Sequence, residues 1–423
     1  IALKSVGGYH LICDAQNTEA VDLLRRRKNR PDKPFAVMLP EPQSDVPGQS
    51  WLDNCVVVNS QDKALLSSPI RPILLAPKKR NAPIAENVAP MLSDLGVMLP
   101  CSGLHLMLMK QFNRPMIATS GNEYGEPMVT STSSAQQQLS MLADFFVHHN
   151  RDICHKLDDS VLRTVMSGAI PFRLGRGLSP LELTLPYDVE EPLLAVGANQ
   201  KNTVSFAWKN RLVVTPHIGD LDSPIMQAHF EKCISDFQDL YHVSPQRILC
   251  DRHPGYISSR WAKDSPLPSS EILHHRAHAS AWALSAEVSS PSLVFVWDGA
   301  GIGSNGDLWG GEVFWGSPGN WKRIASLAPM KLQGGNKVPY QPWRSAAALA
   351  WETSFTEVDL THFDPEHLSF KAWKNELNCY FSSSMGRLFD AAAFACCEQS
   401  EVSYEGQAPM MLESVASTPS KIV

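Results

Sequence analysis

Short apolar runs separated by polar stretches of helical length dominate the first part of the chain. Pro72-Ile-Leu-Leu and Pro115-Met-Ile-Ala-Thr are of strand length, and their alternation with helix-like segments predicts an α/β layer architecture from Ile1 to about residue 185. The stretch Thr184-Leu-Pro-Tyr-Asp-Val-Glu-Glu-Pro192 interrupts this pattern with two prolines and three acids. Proline disfavours helix at and before its own position, so a linker is expected there, dividing residues 1–185 from residues 192–423. Beyond it Leu193-Leu-Ala-Val-Gly, Val204-Ser-Phe-Ala-Trp and Arg211-Leu-Val-Val-Thr read as three strands, followed by a helix from about Pro224 to Tyr241. Strand Arg247-Ile-Leu-Cys-Asp then leads to a helix from Tyr256 to Lys263. Strand Ile272-Leu-His leads to a helix from Ala277 to Glu287, and strand Leu293-Val-Phe-Val-Trp ends at Asp298-Gly. A polar residue closes each of these strands, where open sheets bind ligands.

A chain of 423 residues exceeds one ordinary core and calls for two domains. Hydrophobic content of 43% and charged content of 19% are those of a folded globular protein. With 37 basic against 43 acidic residues the net charge is −6, which argues against a general nucleic-acid or anionic-membrane surface, so any phosphate site must be local. The nine cysteines contain no C-x-x-C pair, and the only neighbours are Cys396 and Cys397. Scattered thiols fit a reducing, cytoplasmic setting. No apolar run reaches the ~18 residues that crossing a bilayer requires. The chain opens in strand-like sequence at Ile1 and stops at Val423 soon after a motif, so both ends read as cut.

In the first part, Arg25-Arg-Arg-Lys-Asn-Arg-Pro-Asp-Lys33 places six cations within nine residues, as a solvated helix end or an anion site. Thr119-Ser-Gly-Asn122 sets hydroxyl and amide groups on a glycine turn after an apolar strand. Asp158-Asp-Ser-Val-Leu-Arg163 and Phe172-Arg-Leu-Gly-Arg-Gly177 add further cations beside hydroxyls and glycines, and together these motifs suggest one anion pocket. Lys4-Ser-Val-Gly-Gly-Tyr-His-Leu, Lys28-Asn-Arg-Pro-x-Lys-Pro, Thr119-Ser-Gly-Asn and Asp158-Asp-Ser-Val resemble the YrdC-like fold of carbamoyl- and threonylcarbamoyl-adenylate synthases. The resemblance implies that Lys4, Lys28 and Arg30 neutralise phosphates and carbamate, that Ser120 and Asn122 hold ATP, and that Ser160, Arg173 and Arg176 close the pocket. Ser5 stands where that family usually has glycine, and the family's first strands would precede Ile1.

In the second part, His274-His-Arg-Ala-His278 puts two imidazoles one helical turn apart on one face, able to bind one metal, with Asp298 a possible oxygen ligand; spacing alone leaves this open. Asp298-Gly-Ala-Gly-Ile-Gly is followed by a turn and the strand-like Trp309-Gly-Gly-Glu-Val-Phe, which fits a phosphate-binding hairpin rather than a dinucleotide fingerprint, since the latter needs a helix. Gly197-Ala-Asn-Gln-Lys-Asn-Thr203 can form a second such loop with Lys201 as phosphate partner. Ser383-Ser-Met-Gly-Arg-Leu-Phe-Asp390 and Ser403-Tyr-Glu-Gly-Gln407 are either helix caps or site loops. With His217-x-Gly-Asp-Leu and His253-Pro-Gly-Tyr, these motifs are similar to the actin-like carbamoyltransferases of the TsaD family.

An adenylate-forming domain followed by an actin-like (ASKHA) transferase domain is the order of the HypF family of hydrogenase maturation carbamoyltransferases, which this chain resembles. The resemblance implies an α/β chain with an incomplete second actin-like lobe. It also implies a divalent metal, zinc or iron, on His274, His278 and Asp298, and nucleotide contacts from Lys201, Asn202, Gly386, Arg387 and Asp390. ATP with Mg²⁺, carbamate derived from carbamoyl phosphate, and a HypE-type acceptor protein would be the partners, with neither nucleic acid nor membrane. The family's acylphosphatase and zinc-finger regions are absent from these residues, its last aspartate ligand would follow Val423, and Met411 replaces an acid common after the Tyr-Glu-Gly motif. Two rival readings are threonylcarbamoyl transfer to tRNA, against which the negative charge and fused order speak, and a non-catalytic scaffold.

Overall fold

The computed structural model describes residues 1–42, 50–123, 125–166, 168–288, 290–353 and 367–416; Val423, read from the sequence as a cut end, lies outside them. The chain forms two compact units: Ile1–Leu249 with Tyr256–Ser269, and Cys250–Gly255 with the residues from Ser270 onward. Among the described residues no helix is long and apolar enough to cross a membrane.

The first unit is built on a nine-stranded mixed sheet of β1 (Ala2–Lys4), β2 (Tyr9–Asp14), β3 (Ala36–Met38), β4 (Ile73–Pro77), β5 (Asp94–Met98), β6 (Met116–Ser120), β7 (Phe146–Val147), β8 (Val161–Val165) and β9 (Gly168–Arg173), in the order β7-β1-β2-β6-β3-β5-β4-β8-β9. The central strands are continuous apolar runs because the sheet is covered on both faces. Leu3, Ile12, Met38, Met98, Met116 and Ala118 meet Met109 of the helix Gly103–Phe112 in one cluster. Each such leucine, isoleucine or methionine contributes about 1.5–3 kcal/mol by burial. β2 is antiparallel to both β1 and β6, so the carboxyl ends of β1 and β6, Lys4 and Ser120, lie at the same end of the sheet.

The helix Thr18–Lys28 is capped by Asn17, whose side chain accepts from the Ala20 amide, and ends at Asn29 in the left-handed conformation at φ 48°. Its buried stripe is Val21, Leu24, Arg25 and Lys28, so the i, i+3, i+4, i+7 face that would ordinarily be apolar carries two cations inward. Arg25 donates to the carbonyls of Asn87 (2.7 Å), Arg30 (2.9 Å), Pro31 (2.9 Å), Lys33 (3.1 Å) and Val88 (3.2 Å) and lies over the Phe35 ring. Part of the cationic run read as a candidate anion site is therefore a brace for the loop after the helix.

Also in the first unit are β10 (Leu181–Ala195), β11 (Ser205–Val214) and the start of β12 (Arg247–Asp251), whose last two residues belong to the second unit, with β11 antiparallel and β12 parallel to β10. The Thr184–Pro192 stretch expected as a linker is strand. Its ladder with β11 slips in register between Thr184 and Val189 and again between Val189 and Leu193, which accommodates the prolines at irregularities where no ladder hydrogen bond is needed. The two runs read as separate strands, Val204–Trp208 and Arg211–Thr215, join into β11 across Lys209 at φ 51°. The helix Pro224–Tyr241 has the bounds the periodicity predicts, with Ser223 capping the Met226 amide and proline at its start.

In the second unit β13 (Ser269–Ile272) leads into the helix His274–Ser285, which begins three residues earlier than expected and has no side-chain cap. β14 (Ser292–Ile302) and β15 (Leu308–Gly316) form the expected hairpin. β16 (Lys322–Ser326) and β18 (Cys379–Ser382) pair with β15, and β17 (Met330–Gln333) with β18. Ala279 and Ala283 of the helix pack on Val294, Val296, Trp309 and Phe314. The small alanines let the helix lie close to the sheet.

Replacing Arg25 by methionine leaves five carbonyls without their donor. The expected cost is about 3 kcal/mol, read as a lower midpoint in urea unfolding of the whole chain.

Candidate functional site

At the shared end of β1 and β6 the first group of expected residues assembles. Lys28 Nζ donates to the carbonyl of Ser120 (2.7 Å) and to both the carbonyl (2.8 Å) and Oδ1 (2.9 Å) of Asn122. Ser120 Oγ also donates to Asn122 Oδ1 at 2.7 Å, and the Asn122 amide donates to the Glu126 carbonyl. Lys28 thus holds the glycine turn that the sequence marks as a ligand loop. Burial, followed by the charges of Arg30 and Lys33, lowers its pKa to about 7. Lys4 is 3% exposed and donates to the His149 carbonyl at 3.3 Å. Arg30 lies over the Phe35 ring and donates to the carbonyls of Lys33 and Pro34.

Other expected residues face their own protein. Ser160 is fully buried, donating to the Arg176 carbonyl and accepting from the Gly175 amide, both at 3.0 Å. Arg176 binds Asp159 Oδ1 and the carbonyls of Ile70 and Arg71. Arg173 donates to the Asp159 carbonyl. These three tie the two ends of the β8–β9 hairpin together, and Arg176 fastens them to Ile70 and Arg71. Asp159 also meets His10 Nε2 at 3.2 Å.

The same unit contains Lys33, Asp158 and His217, which stand in the sequence motifs without an assigned role, together with the expected Lys201 and Asn202. Lys33 is close enough to Arg30, Asp220, Arg173 and Lys201 to feel their charges, and burial is the largest influence lowering its pKa. Asp158 accepts from His217 Nδ1 at 3.1 Å. Burial opposes its ionisation, yet His217, Lys156 and Arg173 hold the carboxyl well below the usual range. Lys201 sits at φ 48° with its amide on Asp220 Oδ1, and buried Asn202 closes the Gly197 loop by donating to the carbonyls of Val196 and Ala198.

In the second unit His274, His278 and Asp298 bring one ligand atom each to within 4.8 Å of one another. His274 Nε2 stands 3.2 Å from His278 Nε2 and 3.0 Å from Asp298 Oδ2. The register of β14 on β15 slips between Trp297 and Gly301, which throws Asp298 out of the ladder toward the helix. At Gly301 a Cβ would lie 2.7 Å from the His274 Cβ, so only glycine lets the imidazole approach the strand. His274 Nδ1 is fixed by Asp251 Oδ2 at 2.7 Å, the arrangement that orients a metal-binding imidazole through its other nitrogen. Burial would lower the His274 pKa, but Asp251 and Asp298 raise it to about 9. His275, fully buried behind the pair, has its Nε2 3.8 Å from Asp298 Oδ2. Asp251 and His275 escaped the sequence reading of this cluster; the only available signal was their position at a strand end and beside a motif histidine.

The test of whether these residues suit a divalent metal is the crowding itself. Two imidazole nitrogens face each other at 3.2 Å, and the buried Asp298 Oδ2 has no fully formed hydrogen bond. A nitrogen-nitrogen-oxygen set of this kind accepts zinc or iron. Nearby, Gly386 allows the helix Met385–Cys397 to approach within contact of Gly299, a Cβ there lying 3.0 Å from the Gly299 Cα. Arg387 Nε pairs with buried Asp390 at 2.7 Å, and burial pushes the Asp390 carboxyl up to about 6.

Three family models match successive parts of the chain: Telomere recombination (the Sua5, YciO and YrdC group) over residues 1–175, HypF Kae1-like domain over 188–285, and Carbamoyltransferase, Kae1-like Domain, second subdomain over 294–422. The chain is 38% identical to Carbamoyltransferase HypF of Synechocystis sp., with 98% of this chain and 56% of the relative covered. It is 36% identical to the protein of the same name from Rhodobacter capsulatus, with the same coverage of 98% and 56%. Among solved structures, full-length HypF in the phosphate- and nucleotide-bound form aligns with a TM-score of 0.92 at 34% identity, covering 99% of this chain and 65% of that one. HypF of T. kodakarensis aligns at 0.87 and 30% identity, covering 98% and 56%. The chain therefore spans 56% of the length of these two curated relatives. The chain belongs to the HypF family of carbamoyltransferases.

Proposed function

We propose that this chain carries the adenylating and transferring parts of an ATP-dependent carbamoyltransferase of [NiFe]-hydrogenase maturation, with residues 1–185 forming carbamoyl-adenylate and residues 192–423 transferring the carbamoyl group. The observation that carries this reading is the convergence of His274, His278 and Asp298 on one point, in a chain whose other unit gathers Lys28, Ser120 and Asn122 on one loop. In the first step an oxygen of carbamate, derived from carbamoyl phosphate, attacks the α-phosphorus of Mg²⁺-bound ATP and pyrophosphate leaves. Lys4, Lys28 and Arg30 supply fixed positive charge for the phosphates, and such charge accelerates a step in which negative charge develops on the leaving group. In the second step the terminal cysteine thiolate of a HypE-type acceptor attacks the carbamoyl carbon and AMP leaves, giving the thiocarboxamide from which cyanide ligands are made.

His274, His278 and Asp298 would hold the divalent metal, zinc or iron, which when bound polarises the carbonyl under attack. Asp251 keeps the His274 ring turned with Nε2 toward that point, and Gly301 leaves room for it. In the same unit Gly386, Arg387 and Asp390 are assigned to the nucleotide, and in the first unit Lys201 and Asn202 are.

Incubated with ATP, Mg²⁺ and ammonium carbamate, the chain is expected to release pyrophosphate, and a thiocarboxamide is expected on a HypE-type acceptor when one is added. Absence of pyrophosphate removes the adenylation step. Lys28→Met should slow that release by ~10²-fold, the usual loss when one stabilising group at the reacting charge is removed. Because the Lys28 pKa lies at about 7, its charge is present below that value and lost above it. ATP affinity of the native chain should accordingly fall as pH rises through 7, and the Lys28→Met chain should lack this dependence, as calorimetric titration will determine. For the metal, His274→Ala or Asp298→Asn should abolish retention of zinc or iron after dialysis. Asp251→Asn should weaken it by ~10–100-fold, measured by elemental mass spectrometry.

A further inference from the structure

The helix Pro224–Tyr241 has two working faces. Met226, Phe230 and Ile234 recur every fourth residue and are buried. On the adjoining stripe Ile225, His229, Lys232, Cys233 and Asp236 line a cavity of about 360 Å³, whose opposite walls come from residues 127–130, 154–156 and 216–218. The walls thus belong to segments matched by two different family models, and the cavity lies wholly within the first unit.

Most charges around this cavity are matched. Asp236 takes Lys232 at 3.0 Å and His155 at 3.2 Å, and Asp158 takes His217. Lys156 has no direct ion pair among the described residues, although the Asp158 charge is near enough to act on it. Its Nζ donates to the Ile218 carbonyl at 3.1 Å, and among the described residues no carboxylate comes within ion-pair distance of it. Two of its three N–H groups are unspent. His229 and Thr130 also line the cavity, and neither side chain has a hydrogen bond among the described residues. The rest of the lining includes Met128, Ile218 and Phe237, so these donors stand in largely apolar surroundings where a cation without a direct ion-pair partner is costly and a matching anion is held strongly.

We propose that this cavity binds a small oxyanion, phosphate or carboxylate, with Lys156 as its charge partner and His229 and Thr130 as further donors. The electrostatics agree with the geometry. Burial lowers the Lys156 pKa against the opposing pull of the Asp158 charge, and burial with the Lys156 charge lowers His229 to about 4. An anion in the cavity relieves both. Because the ligand would touch both walls, it would fasten the segment 154–156 to the helix Pro224–Tyr241. The proposal does not depend on the carbamoyl reading.

Cys154 and Cys233 line the cavity, whereas Cys396 is an exposed thiol in the other unit and serves as internal reference. Alkylation of the three cysteines is followed by mass spectrometry while inorganic phosphate or acetate is titrated into the native chain at constant ionic strength. Saturable slowing at Cys154 and Cys233 by either anion, with Cys396 unchanged, is the expected result, and the effective anion tells phosphate from carboxylate. Lys156→Gln should weaken that protection by about tenfold or more, the loss of one charge-assisted hydrogen bond. Should Lys156→Gln fail to fold, His229→Asn and Thr130→Val carry the same comparison. No protection in the native chain, or undiminished protection in the folded variants, overturns the site.

Discussion

A positive charge buried in protein must find oxygen, and the architecture of the first unit depends on how two such charges are satisfied. The helix Thr18–Lys28 turns Arg25 and Lys28 inward on the stripe that Val21 and Leu24 define. Arg25 meets this constraint with five backbone carbonyls and so shapes the loop from Arg30 to Lys33. Lys28 meets it with the Ser120 and Asn122 oxygens and so shapes the glycine turn after β6. Two neighbouring cations of one basic run therefore do different work, one bracing the loop and the other standing where a ligand would arrive. A hydrophobic core alone would position neither loop, because loops carry too little apolar surface to be held that way.

The second unit solves a different problem, bringing like groups together. His274 and His278 face each other closely, and the arrangement is held by carboxylates on either side of His274: Asp251 at Nδ1 and Asp298 at Nε2. Backbone irregularity does the rest. The slipped register at Asp298 and the missing side chain at Gly301 bring strand and imidazole into contact, and both arise from the same glycine-rich turn of sequence.

That turn explains how much of the site was legible from residue order alone. A histidine pair one turn apart and an aspartate ending an apolar run are local patterns, and the helix Pro224–Tyr241 was legible from its periodicity and its proline. The linker reading failed because prolines also sit in bulged strands, and Thr184–Pro192 continues β10 through two register shifts. Arg176 lies between glycines and Ser160 in Asp158-Asp-Ser-Val, and the structure shows both hydrogen-bonded to the protein itself, a pattern that residue order does not reveal. Asp251 could not be recognised from spacing, since it acts on a histidine 23 residues further along. Asp158 and His217 are separated by 59 residues and meet only through the fold.

The Asp158–His217 pair also bears on how the chain is divided. Composition places a break near residue 190, but the compact unit runs to Leu249, and the Asp158–His217 ion pair and the charges of Asp220 and Lys201 acting on Lys33 link segments on either side of the prolines. Charges drawn together in a partly buried setting need a fixed geometry, since a displaced partner leaves an uncompensated charge behind. The bulged strand β10 supplies that rigidity where a flexible linker would not.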